Sequence, residues 1–235
     1  MTKRKLALKI TAGIAGLLLV LIIFSIGNAF MGNPISAMLA KNEIQNYVDR
    51  QYSTLHLELS KVTYNFKFGS YGTRVTSKTS GDTHFHIDKR GKNIEDTFAS
   101  DVLNKMNTLQ RFEQIYTQEV ASILREVDVK ELNARVMLAK EEYEKPNDQI
   151  LLDMPFDKKI PIHYTLVINL QAEDTSVDNI ASIIKKIHST LIDNGCTFET
   201  YSFYVDSADK MMITDITPQQ IESPDLVETI QKDKY

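Results

Sequence analysis

Residues 160–195 read IPIHYTLVINLQAEDTSVDNIASIIKKIHSTLIDNG. Ile160, Ile162, Tyr164, Leu166, Ile168 and Leu170 take every second position, the period at which side chains share one face of a β-strand. Beyond Gln171 the period changes. Ile180, Ile183, Ile184, Ile187 and Leu191 recur at spacings of three and four, which places them on one stripe of a helix. Thr175 or Ser176 supplies the N-cap and Gly195 the stop, so the pattern predicts a helix over residues 177–194. A half-buried strand followed by an amphipathic helix is the signature of an α+β body.

Working outward from there, residues 197–205 and 210–214 read as a hairpin turning at Asp206-Ser207-Ala208-Asp209. Thr217-Pro218 and Ser223-Pro224 each pair a cap with a proline and start two short helices. Upstream, Leu132, Ala134, Val136 and Leu138 alternate as a strand. Residues 143–159, with clustered Pro, Asn and charge, read as a long loop.

The preceding half repeats the theme. Asn33 caps and Pro34 opens a helix over residues 34–52, with Ala37, Ala40, Ile44, Tyr47 and Val48 on one face. Leu55, Leu57 and Leu59 alternate, then Val62, Tyr64, Phe66 and Phe68 alternate one register out. The shift at Ser60-Lys61 predicts a bulge or break. Strands over 74–77 and 84–88 follow, and Arg90-Gly91-Lys92 closes the sheet. Phe98, Val102, Met106, Leu109, Phe112, Tyr116, Val120 and Ile123 keep a helical period and predict one long helix over 95–125. The expected organisation is two small lobes, 33–126 (helix, three strands, long helix) and 127–235, each with helices packed on an antiparallel sheet.

Ahead of both lies an uncharged run. From Ile10 to Ala40 there is no Asp, Glu, Lys or Arg, and residues 10–30 are the most apolar. Twenty-one helical residues rise about 31 Å, matching a bilayer core of about 30 Å. Lys3, Arg4, Lys5 and Lys9 lie upstream, so the positive-inside rule keeps residues 1–9 cytoplasmic, makes 10–31 a transmembrane anchor and puts the body outside. Gly27-Asn28-Ala29 offers the small residues of a cleavage site, the mark of a removed signal peptide. The apolar run exceeds the usual signal-peptide length of about 7–15 residues, so a retained anchor is expected. Ala12 and Gly16 form a small-xxx-small pair, a pattern common by chance.

The 235 residues are 43% hydrophobic and 25% charged, an ordinary globular balance. The net charge of −4 hides an asymmetry, because residues 1–32 hold four bases and no acid. The remainder carries 23 bases against 31 acids. A net-acidic body without a basic, aromatic-interleaved patch excludes nucleic acid as an expected partner. The lone Cys196 has no intramolecular disulfide partner and reads as a small, partly buried strand residue.

Candidate chemistry is sparse. Asp82, His84 and His86 at i, i+2 and i+4 project from one strand face, and these are suitable zinc or copper ligands. The same spacing is what the wet face of a half-buried strand requires, with Phe85 and Ile87 on the core side, so no metal is expected. His163 and His188 read as structural or surface residues. No Gly-x-Ser-x-Gly, HExxH, glycine-rich phosphate loop or Cys-x-x-Cys is present, and no catalytic residue or cofactor is expected. Tyr47, Tyr52, Tyr64, Phe66, Phe68 and Tyr71 read as helix-on-sheet core. Tyr64 and Tyr71, flanking the first hairpin, are the candidate partner-contact residues.

Gly32-Asn33-Pro34, Ser36, Leu39-Ala40, Tyr47, Tyr52, Tyr64-Asn65-Phe66-Lys67, Gly69, Tyr71 and Asp82-Thr83-His84-Phe85 resemble the YfjL-like proteins, small membrane-anchored proteins of Gram-positive bacteria. The resemblance covers residues 30–125 with specific residues and the rest through its layout. It implies a membrane address and two lobes, and carries over no catalytic residue. The first lobe's layout is also similar to helix-on-sheet modules such as PepSY domains, often accessory or inhibitory domains at the envelope. The expected function is a non-enzymatic, single-pass envelope protein that binds a protein or cell-wall partner. The alternative is an envelope hydrolase or metal-dependent enzyme with a site built from scattered polar residues.

Overall fold

The computed structural model describes residues 3–144, 148–206 and 211–232. The chain divides into two compact units, Met1–Leu103 and Asn104–Tyr235. Both are α+β.

The first unit opens with α1 (Lys3–Met31), 29 residues long. Its apolar side chains from Ile10 to Phe30 lie exposed, and it is long and apolar enough to cross a membrane. Gly32, at φ +71°, makes the joint to α2 (Pro34–Gln51). The N-cap forms as the sequence predicts: Asn33 Oδ1 accepts from Ile35 N at 2.8 Å and Pro34 opens the helix. Ala40, Ile44 and Val48 form the buried face of α2.

Five short strands follow: β1 (Leu57–Leu59), β2 (Thr63–Asn65), β3 (Ser70–Ser77), β4 (His84–Arg90) and β5 (Asn93–Asp96). β1 and β2 pair with the same edge of β3, and β4 and β5 follow in order, all antiparallel. Leu59 pairs with Val75 but Thr63 with Gly72, so one extra residue sits between β1 and β2. This is the one-residue slip predicted at Ser60-Lys61. α2 covers one sheet face, over Val75, Phe85 and Ile87. Tyr52, Phe85 and Phe98 close that core with ring centroids 4.7–5.2 Å apart.

The predicted helix over 95–125 is replaced by three pieces. Gly91, at φ +59°, lets the chain turn back into β5, a short polar edge strand. A π-helical turn covers Ala99–Leu103, and Lys105 then adopts the left-handed conformation at φ +59°. Only after that break does α3 (Met106–Leu124) begin. Phe98 and Val102 serve the first core, while Leu109, Phe112, Tyr116 and Val120 serve the second. The division therefore falls at 103/104, not at 126/127. The apolar stripe hides it because Val102 and Leu109 are one heptad apart and stay in phase across the break.

The second unit continues with β6 (Asn133–Leu138), α4 (Lys140–Glu144), β7 (Tyr164–Gln171), α5 (Val177–Asp193), β8 (Thr200–Asp206), β9 (Met211–Ile216), α6 (Pro218–Glu222) and α7 (Leu226–Lys232). The sheet order is β6-β7-β8-β9. The outer pairs are antiparallel, but β7 and β8 are parallel. This sheet is thus mixed, because α5 crosses over between two strands that run the same way. Ser176 caps α5 and Gly195, at φ +69°, ends it. Thr217 and Gln220 form a reciprocal capping box on α6. The predicted strand over 160–170 starts later, at Tyr164, because Asp157–Ile162 is taken up by local turns. The predicted turn Ser207-Ala208-Asp209 lies outside the described residues.

β6 is an edge strand, and α3 covers it. Thr117 Oγ1 accepts from Val136 N at 2.9 Å, and Glu113 Oε1 accepts from Leu138 N at 2.6 Å. Two outward amides that would otherwise template another strand are closed off this way.

Candidate functional site

The first sheet turns its second face away from α2. Alternation puts Ser70, Gly72, Arg74 and Thr76 of β3 there, beside His84, His86, Asp88 and Arg90 of β4. Glu95 and Asn93 extend the row through β5, paired with Asp88 and Arg90. Phe68, Ser70, Asp88, Arg90, Asn93 and Glu95 line a concavity of about 530 Å³.

The polar groups of this face are engaged with one another. Arg74 Nη2 donates to His84 Nδ1 at 2.9 Å. Burial first, and then the Arg74 cation, push the His84 imidazole below its ordinary range, so it accepts that bond as a neutral ring. His86 Nε2 lies 3.1 Å from Asp88 Oδ2, and Ser70 Oγ donates to Asp88 Oδ1 at 3.1 Å. Gly72 leaves room for this pair, since a Cβ there would lie 2.6 Å from His86 Nε2 and 2.7 Å from Asp88 Oδ1 and would push those side-chain ends aside.

The Ser70–Asp88–His86 row holds the residue types of a hydrolase triad in the wrong order. A nucleophilic serine needs the imidazole at its hydroxyl and the carboxylate behind the imidazole. Here the carboxylate stands in the middle and Ser70 is buried. The Asp82, His84 and His86 group is not an open ligand set: Asp82 precedes β4 and is buried at 2% exposure. Among the described residues no three His, Cys, Asp or Glu side chains converge as a ligand set.

The other aromatics and titratable groups hold the units together. Tyr47 of α2 and Tyr52 at its C-cap both donate to Asp96 Oδ2, at 2.5 and 2.7 Å. Burial and then the Asp96 carboxylate raise both phenols above their ordinary range. Tyr64 and Tyr71 do not form the exposed pair expected of them. Both are half-buried with rings 5.0 Å apart, and Tyr71 Oη accepts from Asn33 N at 2.9 Å and donates to Asn33 O at 3.3 Å. Phe66 and Phe68, read as core, are exposed because β2 ends at Asn65.

In the second unit His188 is buried, bonded to Tyr201 Oη at 2.9 Å and to Glu222 Oε1 at 3.3 Å, and so ties α5 to β8 and α6. His163 is exposed beside Glu199. Cys196 lies in the α5–β8 connection rather than in a strand, and it is fully buried. Burial pushes its thiol up while Lys158 pulls the other way, so it is no activated nucleophile. Arg74, Ser70 and Asp88 are not singled out by the sequence, although the alternation of β3 and β4 holds them in plain view.

The comparisons with known proteins follow this division. The description YfjL-like, N-terminal domain matches residues 7–100, and the description YfjL-like C-terminal domain matches residues 115–231. The chain belongs to the YfjL-like family. The two YfjL-like domains flank the structural boundary at 103/104. A protein of Bacillus subtilis (strain 168) described as uncharacterized protein YfjL is 24% identical over 194 residues. That alignment covers 77% of this chain and 79% of the relative. No solved structure matches this YfjL-like chain.

Proposed function

We propose that the chain is a single-pass membrane protein whose folded body beyond Gly32 stands outside the cytoplasm and binds a protein or cell-wall partner of the envelope without turning it over. The observation that carries this reading is α1: a bilayer-length apolar helix, exposed along its length, joined through Gly32 to a folded body. Bases upstream of the apolar run and none within it orient the helix with the body outside. The engaged polar pairs of the first sheet favour recognition over catalysis, because the buried Ser70 hydroxyl is bonded to the Asp88 carboxylate and not to the His86 imidazole. Tyr64 and Tyr71 are occupied at the α1–α2 joint, so the contact surface moves to the polar face around Arg90 and Glu95.

A photo-crosslinking amino acid at position 95, in the full chain in intact cells, tests the reading. The expected result is a discrete adduct that weakens when Arg90→Glu is added. A control at Met212, exposed on β9, gives none. No adduct from position 95, or an equal one from position 212, contradicts the proposal.

A further inference from the structure

Beside the α1–α2 joint the first unit exposes apolar surface that its own fold leaves uncovered. The turn after β2 carries Phe66 at 62% and Phe68 at 54% exposure, with Lys67 between them. Lys67 Nζ lies 5.6 Å from the Phe68 ring centroid. Ile35, Met38 and Leu39 of α2 are also exposed, at i, i+3 and i+4, on the helix face opposite Ala40, Ile44 and Val48. Scattered single exposures need no explanation, but several large apolar side chains exposed around one joint do.

We infer that this patch, with the Phe66-Lys67-Phe68 tip at its centre, is a second membrane contact that seats the first unit in the lipid interface beside the anchor. The inference rests on the reading of α1 as a transmembrane helix. Three contacts fix the tip at the level where the apolar run of α1 ends. The Phe66 ring lies 5.6 Å from that of Phe30, the last residue of the run. The Tyr64 ring fills the space at Gly32, where a Cβ would come within 2.6 Å of it. Tyr71 holds both backbone groups of Asn33 through its hydroxyl. The root of the hairpin is therefore fastened to the joint, and its tip shares the depth of Phe30.

The chemistry of the patch suits that depth. Phe and Leu side chains on interfacial segments bury into the headgroup–acyl boundary, and a lysine stem lies along apolar surface while its ammonium reaches phosphate. Leu39 is six residues beyond Asn33, about 9 Å along α2, which is comparable with the interfacial layer outside the hydrocarbon core. A phospholipid surface is the occupant this continuity selects.

The chain contains no tryptophan, so a single Phe68→Trp substitution gives a background-free reporter at an exposed position. The full chain is reconstituted in vesicles of mixed phosphatidylcholine and phosphatidylglycerol carrying bromine on the acyl chains, near the headgroup or near the chain end. Phe24→Trp in α1 is the depth control. The expected result is blue-shifted, lipid-quenched emission from both reporters, with Phe68→Trp quenched more by shallow bromine and Phe24→Trp more by deep bromine. Adding Lys67→Glu to Phe68→Trp reduces its quenching in anionic vesicles. If Phe24→Trp is quenched while Phe68→Trp keeps water-like, unquenched emission, the second contact is refuted and the anchor stands. Blue-shifted but unquenched emission from Phe68→Trp means protein covers the patch, and this also refutes the contact. If neither reporter is quenched, the membrane reading of α1 falls and the inference falls with it.

Discussion

Tyr71 and Tyr164 present one chemical group in opposite circumstances. The Tyr71 hydroxyl both accepts from and donates to the backbone of Asn33. The Tyr164 hydroxyl is buried with no protein hydrogen-bond partner among the described residues. Removing a made hydrogen bond costs about 0.5–1.5 kcal/mol, whereas removing a buried unsatisfied hydroxyl relieves a desolvation penalty. Tyr71→Phe should therefore lower stability by about 1 kcal/mol, and Tyr164→Phe should be neutral or stabilising. Urea denaturation of the full chain in detergent, followed by circular dichroism, separates the two signs. Tyr71 also shows what a sequence hides. Its place in the strand alternation was legible, but its partner lies 38 residues upstream, and no local pattern announces such a contact.

The tyrosines also set an alkaline limit. Partial desolvation of the half-exposed Tyr143, and then Glu113, push its phenol up to about 12, while burial and Asp96 raise Tyr47 and Tyr52. These groups are held neutral in the fold and ionise near pH 10 when unfolded. The stability they contribute is full below about pH 10 and is lost as pH rises toward and through the folded values. Melting temperature should fall steeply between about pH 10 and 12. Glu113→Gln, which removes one cause of the Tyr143 shift, should let that phenol titrate earlier in an absorbance titration.

Among the secondary structures, α5 was the most legible, because its cap, stripe and terminal glycine all agree with its packing. α3 was the least, because an unbroken stripe ran through a left-handed Lys105. β5 was missed since Asn93, Glu95 and Asp96 carry no strand signal without the sheet they join. The consequence is testable. Phe112 and Ile184 were expected to stabilise different lobes, but both lie in the second core, while Phe85 lies in the first. Ile184→Ala should cost about 2–5 kcal/mol, and Phe112→Ala and Phe85→Ala about 3–5 kcal/mol each. Hydrogen exchange supplies the local readout. The first two changes should lower protection in β7 and spare β4, and Phe85→Ala should do the reverse. Lost protection in β4 for Phe112→Ala would return α3 to the first unit.

For the chain entire, the order of apolar run, helix and two α+β bodies was legible from length, charge and period, since each of these is a local property. The polar face of the first sheet was legible only in part. His84 and His86 stood out by residue type, but the pairing of His86 with Asp88 and Ser70 depends on strand register. The distribution of charge makes the same argument as α1, with four bases ahead of the apolar run and an excess of acids behind it. Everything proposed for function depends on that polarity, and the chain supplies a clean way to read it. Its lone Cys196 is fully buried, so thiol reagents should not reach it in the folded protein. One cysteine is introduced at the exposed Lys61 and, separately, one at Lys5, and whole cells are treated with a membrane-impermeant maleimide. The account predicts full-length protein labelled at Lys61→Cys in intact cells, and at Lys5→Cys only after permeabilisation. Labelling of Lys5→Cys in intact cells with Lys61→Cys protected, or a labelled Lys61→Cys product shortened by the length of α1, would contradict it.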